Sequence, residues 1–101
     1  MISLSNSLLV GIDVSLNDNK VRILHPDGTS LSKFVVSNSV PGAKTLSQKV
    51  SGIAEKNSFD SIVIGLESTS VYGDPLVYFL KQDVSVNRFN TKIHVLNPTQ
   101  V

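Results

Sequence analysis

The stretch Leu8-Leu9-Val10-Gly11-Ile12-Asp13-Val14 decides how the rest of the chain is read. It is almost wholly apolar up to Asp13, which is the pattern of a central strand buried on both faces. Working outward, Asn17-Asp18-Asn19 is a turn cluster that ends the first strand. Lys20–His25 then alternates, with Val21 and Ile23 opposite Lys20, Arg22 and Leu24, and predicts a half-exposed strand. Pro26-Asp27-Gly28 is a strong turn signal, because proline presets its own φ and glycine accepts φ > 0. Leu31–Ser37 follows as a third strand, so the first half reads as an antiparallel meander.

Past Pro41 the period becomes helical. Ala43, Leu46, Val50 and Ile53 recur at helical spacing and leave Lys44, Lys49 and Glu55 outward. Ser39 suits the cap of that helix and Pro41 its first turn. Ser61–Leu66 is a β-branched run and predicts the fourth strand. Asp74 is placed to cap a second helix, with Pro75 first in it and Leu76, Phe79 and Leu80 on one face. Lys92–Leu96 predicts a fifth strand stopped by Asn97-Pro98. The order β-β-β-α-β-α-β, a meander feeding right-handed crossovers, predicts an α/β mixed sheet with helices packed on its faces.

The 101 residues suffice for one domain, 1–101, and a hydrophobic share of 41% can furnish its core. Cysteine is absent, which excludes disulfides and thiolate metal sites and suits a reducing compartment. No stretch approaches the ~20 apolar residues of a membrane span. Met1 to Val10 lacks the basic region of a signal peptide and reads as a strand. Nine basic residues against eight acidic give a net charge of +1, so charge alone selects no partner.

Chemistry concentrates in two short matches. Val10-Gly11-Ile12-Asp13 closes the first strand and Ile64-Gly65-Leu66-Glu67 the fourth, each with glycine two residues before the acid and on its face. The topology makes these strands parallel neighbours, and ligand sites in open α/β sheets form at such carboxyl ends. Two carboxylates brought together repel, and a divalent cation with oxygen ligands, Mg²⁺ or Mn²⁺, is the usual remedy. Paired Mg²⁺ ions can serve phosphodiester transfer. The glycines would let a helix or a substrate backbone approach the sheet. Against this, either acid alone reads more readily as a cap or a solvated strand end, and its glycine as a means of turning; only the matched pair brings a shared site level with that reading.

Three blocks carry a resemblance over essentially the whole chain. Val10-Gly11-Ile12-Asp13-Val14-Ser15, Ile64-Gly65-Leu66-Glu67-Ser68-Thr69-Ser70-Val71-Tyr72 and Asn97-Pro98-Thr99-Gln100-Val101 resemble the DEDD transposases of insertion sequence 110 type, a group that includes the Piv DNA invertases. The resemblance implies a RuvC-like, ribonuclease-H-like fold lacking its final helix. It also implies DNA strand cleavage and transfer by the full-length protein, a DNA transposase or recombinase, with Mg²⁺ or Mn²⁺ as cofactor. It carries the first two family acids onto Asp13 and Glu67 as metal ligands and catalytic residues. Two further aspartates are expected beyond Val101, together with a carboxyl-terminal domain bearing a serine implicated in strand exchange. This chain therefore reads as an amino-terminal fragment, inactive alone and weak in metal binding. DNA is the implied partner, and some members add a structured guide RNA. A homo-oligomer of the full-length protein and a prokaryotic cytoplasmic location are also implied.

Other residues read mainly as structural. Ser68, Thr69 and Ser70 could orient Glu67 or contact phosphate, but such hydroxyls more often satisfy loop backbone. Tyr72 is expected to pack at the start of the second helix rather than stack on DNA. Asp18 and Asp27 read as turn formers, Asp74 as a helix cap rather than a ligand, and His25 and His94 as structural. Two other functions compete. An actin-like or sugar-kinase ATPase lobe also begins with Gly-x-Asp, but needs glycines after the aspartate to wrap phosphates. Here Ser15, Leu16 and Asn17 follow, with no glycine until Gly28. The other competitor is a non-catalytic interaction module of the same superfold, in which both acids are structural.

Overall fold

The apolar run at the start forms β1 (Ser7–Val14), the middle strand of a five-stranded mixed sheet. The structure, a computed structural model, describes residues 6–68 and 71–96. β2 (Asp18–Leu24) and β3 (Ser30–Ser37) complete the meander, and α1 (Val40–Lys56) leads to β4 (Ser61–Ser68). A single 3-10 turn, Val71–Gly73, runs into α2 (Asp74–Gln82); the short α3 (Val84–Asn87) precedes β5 (Asn90–Leu96). The sheet order is β3-β2-β1-β4-β5, antiparallel within the meander and parallel for β1 with β4 and β4 with β5. The order expected from the sequence is found, with α3 added.

The β2–β3 turn closes as its residues require. Gly28 adopts φ +96°, its N–H donates to the His25 carbonyl at 2.9 Å, and Asp27 Oδ1 accepts from the Thr29 N–H at 2.8 Å. At the start of α1, Ser39 Oγ accepts from the Gly42 N–H at 3.2 Å and satisfies one orphan donor of the first turn. Gly42 permits a close approach there: a Cβ at this position would lie 1.9 Å from the Ser37 carbonyl oxygen. Ala43, Leu46, Val50 and Ala54 form the buried stripe of α1, and Ile53 packs at its border.

Asp74 does not cap α2. The 3-10 turn has already wound the chain, Gly73 occupies the cap position at φ −84°, ψ −14°, and Asp74 is the first helical residue. Its charge still suits the amino end of a helix dipole. The sequence reading missed α3 because four residues are too few to display a period. Asp83 caps α3, accepting from the Val86 N–H at 3.1 Å and from the Ser47 hydroxyl of α1.

A single core joins Leu8, Val10, Ile12 and Val14 of β1 and Ile62, Ile64 and Leu66 of β4 to Leu46, Val50, Leu76, Leu80 and Val86 of the helices. Burying each aliphatic side chain contributes roughly 1.5–3 kcal/mol before the entropy of ordering is counted. This corrects one expectation. β1 is buried on one face only: Gly11 and Asp13 are exposed and Leu9 is half-buried. The cause is topological. Both crossovers, β3 to β4 and β4 to β5, step the same way across the sheet, and right-handed connections then put their helices on one face. Among the described residues the other face is open.

Candidate active site

The strand register assembles the open face row by row. Asp13 of β1 is the partner of Glu67 on β4 and of Lys20 on β2, with Leu96 beyond Glu67 and Val35 beyond Lys20. The row below is Lys33, Arg22, Gly11, Gly65 and His94. Register partners share a face, and adjacent strands lie ~4.8 Å apart. The two acids are therefore neighbours at the carboxyl ends of a parallel pair, each one residue from its strand's end and exposed. Below them, Gly11 and Gly65 leave bare backbone. A Cβ at either would meet nothing within 4 Å, so no described part of the chain makes the close approach these glycines permit. Asp13, Glu67, Lys20, Arg22, Lys33, both glycines and Leu96 line one shallow groove.

Asn38, which the sequence reading passed over, ties together the loops behind the two acids. Its Nδ2 donates to the carbonyl of Ser15 at 2.8 Å and to that of Tyr72 at 3.1 Å, while its backbone N–H donates to the carbonyl of Asn17 at 2.9 Å. Ser15 follows Asp13 closely, and Tyr72 follows Glu67 past the end of β4, so a single amide holds both exits from the site. Ser15 also bonds Asp18, its N–H and Oγ donating to the Asp18 carbonyl at 2.9 and 2.8 Å. That makes Asp18 a turn former, as expected.

The donor chemistry suits a hard divalent cation. Mg²⁺ is held by one or two carboxylates plus waters and substrate oxygens, and Asp13 and Glu67 offer two carboxylates on one face, neither in an ion pair among the described residues. No group of three or more metal-ligating side chains occurs among the described residues. Lys20, Arg22 and Lys33 are also exposed on this face, and the sequence alone gives none of them a role. Their alternation with Val21 and Ile23 was visible; what strand lay beside them was not.

The remaining candidates fall elsewhere. Asp27 lies in the far turn, where hydrogen bonds from Thr29, and secondarily His25, hold its carboxyl below the usual value. His25 stacks edge-on against Phe59 with ring centroids 5.6 Å apart. His94 lies exposed on β5 beside Gly65. Ser68 is buried at the end of β4. Tyr72 shares a surface groove with Pro75 and Leu76. Thr69, Ser70 and the block Asn97–Val101 lie outside the described residues. No helix among the described residues is long and apolar enough to cross a membrane.

The fold is similar to several solved structures. A protein of unknown function with an actin-like ATPase fold from Bacteroides thetaiotaomicron matches at 14% identity and a TM-score of 0.60, over 94% of this chain and 34% of that one. RuvC of Thermus thermophilus matches at 13% identity and 0.55, over 90% of this chain and 64% of that one. The fowlpox virus resolvase, solved with Holliday junction DNA, matches at 13% identity and 0.54, over 91% of this chain and 61% of that one. The chain thus spans less than two thirds of each. At such identities the likeness establishes the fold, ribonuclease-H-like α/β, and leaves the activity open. No curated protein matches the sequence. A family model described as Transposase, that of the DEDD proteins of insertion sequence 110, matches residues 10–101. With every residue from the first acid block onward inside that match, the chain belongs to the DEDD transposases of insertion sequence 110 type.

Proposed function

We propose that Asp13 and Glu67 are the first two metal ligands and catalytic acids of a site that cleaves and transfers DNA strands, and that a longer transposase supplies the rest. The observation that carries this reading is their partnership in register on adjacent parallel strands, at the carboxyl end of an open sheet face. Mg²⁺ or Mn²⁺, when bound, supplies nucleophile activation and stabilisation of the leaving oxygen in phosphodiester transfer. The chain's own residues hold the geometry. β1 and β4 fix the spacing of the two carboxylates, Asn38 holds the loops behind them, and the paired glycines keep the sheet surface clear for a substrate backbone.

Two carboxylates are half of the family's set, so this chain alone binds the ions weakly and does not cut. Within the longer protein the reading extends to action on DNA in the cytoplasm as a homo-oligomer, with a structured guide RNA as a further partner. The test uses supercoiled DNA and Mn²⁺ with this chain and with a full-length transposase containing it, with any guide RNA supplied. Cleavage by the full-length protein alone, abolished by Asp13→Ala, is expected. Cleavage by this chain that survives Asp13→Ala, or a full-length protein indifferent to that change, overturns the reading.

One observation favours a second reading: the likeness to an actin-like ATPase fold. That function needs glycines after Asp13 to wrap phosphates, and Ser15-Leu16-Asn17 stands there instead. Thermal stabilisation by ATP would restore it.

A further inference from the structure

The open face carries a second feature beside the acid pair. Lys20 and Arg22 project from β2 on the side of Asp13, two residues and so ~6.8 Å apart, and Lys33 of β3 stands directly opposite Arg22. Like charges directly opposed across an antiparallel pair are destabilising. None of the three side chains is in an ion pair among the described residues; the pairs found there are His25 with Asp27 and Arg88 with Glu55. The repulsion between Arg22 and Lys33 is therefore not relieved by an ion pair among the described residues. Across from Arg22 the sheet drops to the bare backbone of Gly11 and Gly65. A short trough without side chains thus lies one row below the acids, between Arg22, with Lys33 beyond it, and His94.

We propose that this trough is the seat of one DNA strand, with Arg22 and Lys33 contacting its phosphates and Lys20 guiding the strand toward Asp13 and Glu67. The assignment rests on the function proposed above for the acid pair. The cations lie along two strands and do not converge on one point, which suits a chain of phosphates better than a single anion. The trough matters as much as the charge, because a backbone as bulky as a sugar-phosphate chain reaches the sheet only where no side chain stands. Phosphate contacts of this kind position a strand without reading its sequence. With a net charge of only +1 on the whole chain, these residues account for the local basic character of the face, and binding is expected at low salt only.

The experiment measures the anisotropy of a fluorescein-labelled single-stranded DNA titrated with this chain in low salt and EDTA. Arg22→Gln with Lys33→Gln is expected to weaken binding about tenfold and to reduce the salt slope by about 1.4, as two lost phosphate contacts require. Lys44→Gln with Lys56→Gln, on the outward side of α1, is expected to leave both unchanged; an equal loss there overturns the proposal, as does an indifferent Arg22/Lys33 variant. Gly11→Leu fills the trough with every charge kept, and nothing lies where its Cβ would go. It should weaken binding comparably, and unchanged affinity overturns the placement. It also carries the test if circular dichroism shows the double variant unfolded. Tighter binding of the same sequence as RNA overturns the assignment to DNA. Asp13→Asn with Glu67→Gln separates the two proposals. In EDTA it should bind as tightly as the wild type or more tightly, because two negative charges beside the strand are removed, and it should abolish any tightening by Mn²⁺. A loss of DNA binding confined to the cation and glycine variants, with no Mn²⁺ effect in the wild type, would sustain the trough and overturn the metal reading.

Discussion

Asp13 on β1 and Glu67 on β4 are partners in a parallel strand pair, so their side chains leave the same face of the sheet at the same height. Each strand brings its glycine along, and Gly11 and Gly65 are partners one step below. A similar four-residue pattern on two separate strands thus becomes one continuous surface, acids above and bare backbone beneath.

Crowded carboxylates without a cation repel, so removing one charge should relieve the metal-free chain. Glu67→Gln keeps the shape and is expected to leave stability unchanged or slightly raised in urea denaturation with EDTA. A loss above ~1 kcal/mol would mark a structural role for Glu67. Mn²⁺ should stabilise the wild type more than this variant, because a ligand that binds only the folded state adds to its stability.

Asn38 offers a test of whether the loops behind the acids matter to them. Asn38→Ala frees the carbonyls of Ser15 and Tyr72, which then turn to water. The bonds are exposed, so the cost should be about 1 kcal/mol. Metal binding followed through Mn²⁺ relaxation should weaken in the same variant. Full retention of both stability and affinity would make the amide a bystander.

Two glycines should respond oppositely to alanine. Gly42→Ala improves helix propensity yet drives a Cβ to 1.9 Å from the backbone oxygen of Ser37, which cannot rotate away. A net loss of roughly 1–3 kcal/mol is expected from the forced backbone shift. Gly11→Ala meets nothing within 4 Å and sits within a strand, where glycine costs roughly 0.5–1 kcal/mol relative to alanine, so it should be neutral or stabilising. Equal losses at both sites would contradict the packing described.

The turn at Asp27 predicts a small dependence on acid. Thr29 hydrogen bonds favour the carboxylate, so its pKa in the folded chain lies below the ordinary value of 3.8. A depressed folded pKa means stability present above that ordinary value and lost as pH falls through the folded one. Asp27→Asn should therefore lower stability slightly near neutrality and abolish the part of the acid-side decline that this group contributes. NMR titration of the Asp27 carboxyl should show the depressed midpoint; a midpoint at or above the ordinary value would refute it.

Much of this molecule is written locally. The apolar run of β1, the Pro26-Asp27-Gly28 turn, the stripe of α1 and the β-branched run of β4 each declare themselves over a few residues, because alternation and helical period are local consequences of burial on one side. The pairing of Gly11-x-Asp13 with Gly65-x-Glu67 was legible too, once the strands were taken as parallel neighbours. α3 was not, since a one-turn helix held by Asp83 and Ser47 depends on a residue 36 positions away. Which face of β1 stays open was equally beyond local reading, because an apolar strand looks the same whether one face or two are covered. The direction of two crossovers settled it. The same holds for Lys20, Arg22, Lys33 and Asn38: residue type and alternation announce only that they are polar. Strand register across the sheet sets the cations beside the acids, and the meeting of distant loops sets Asn38 behind them.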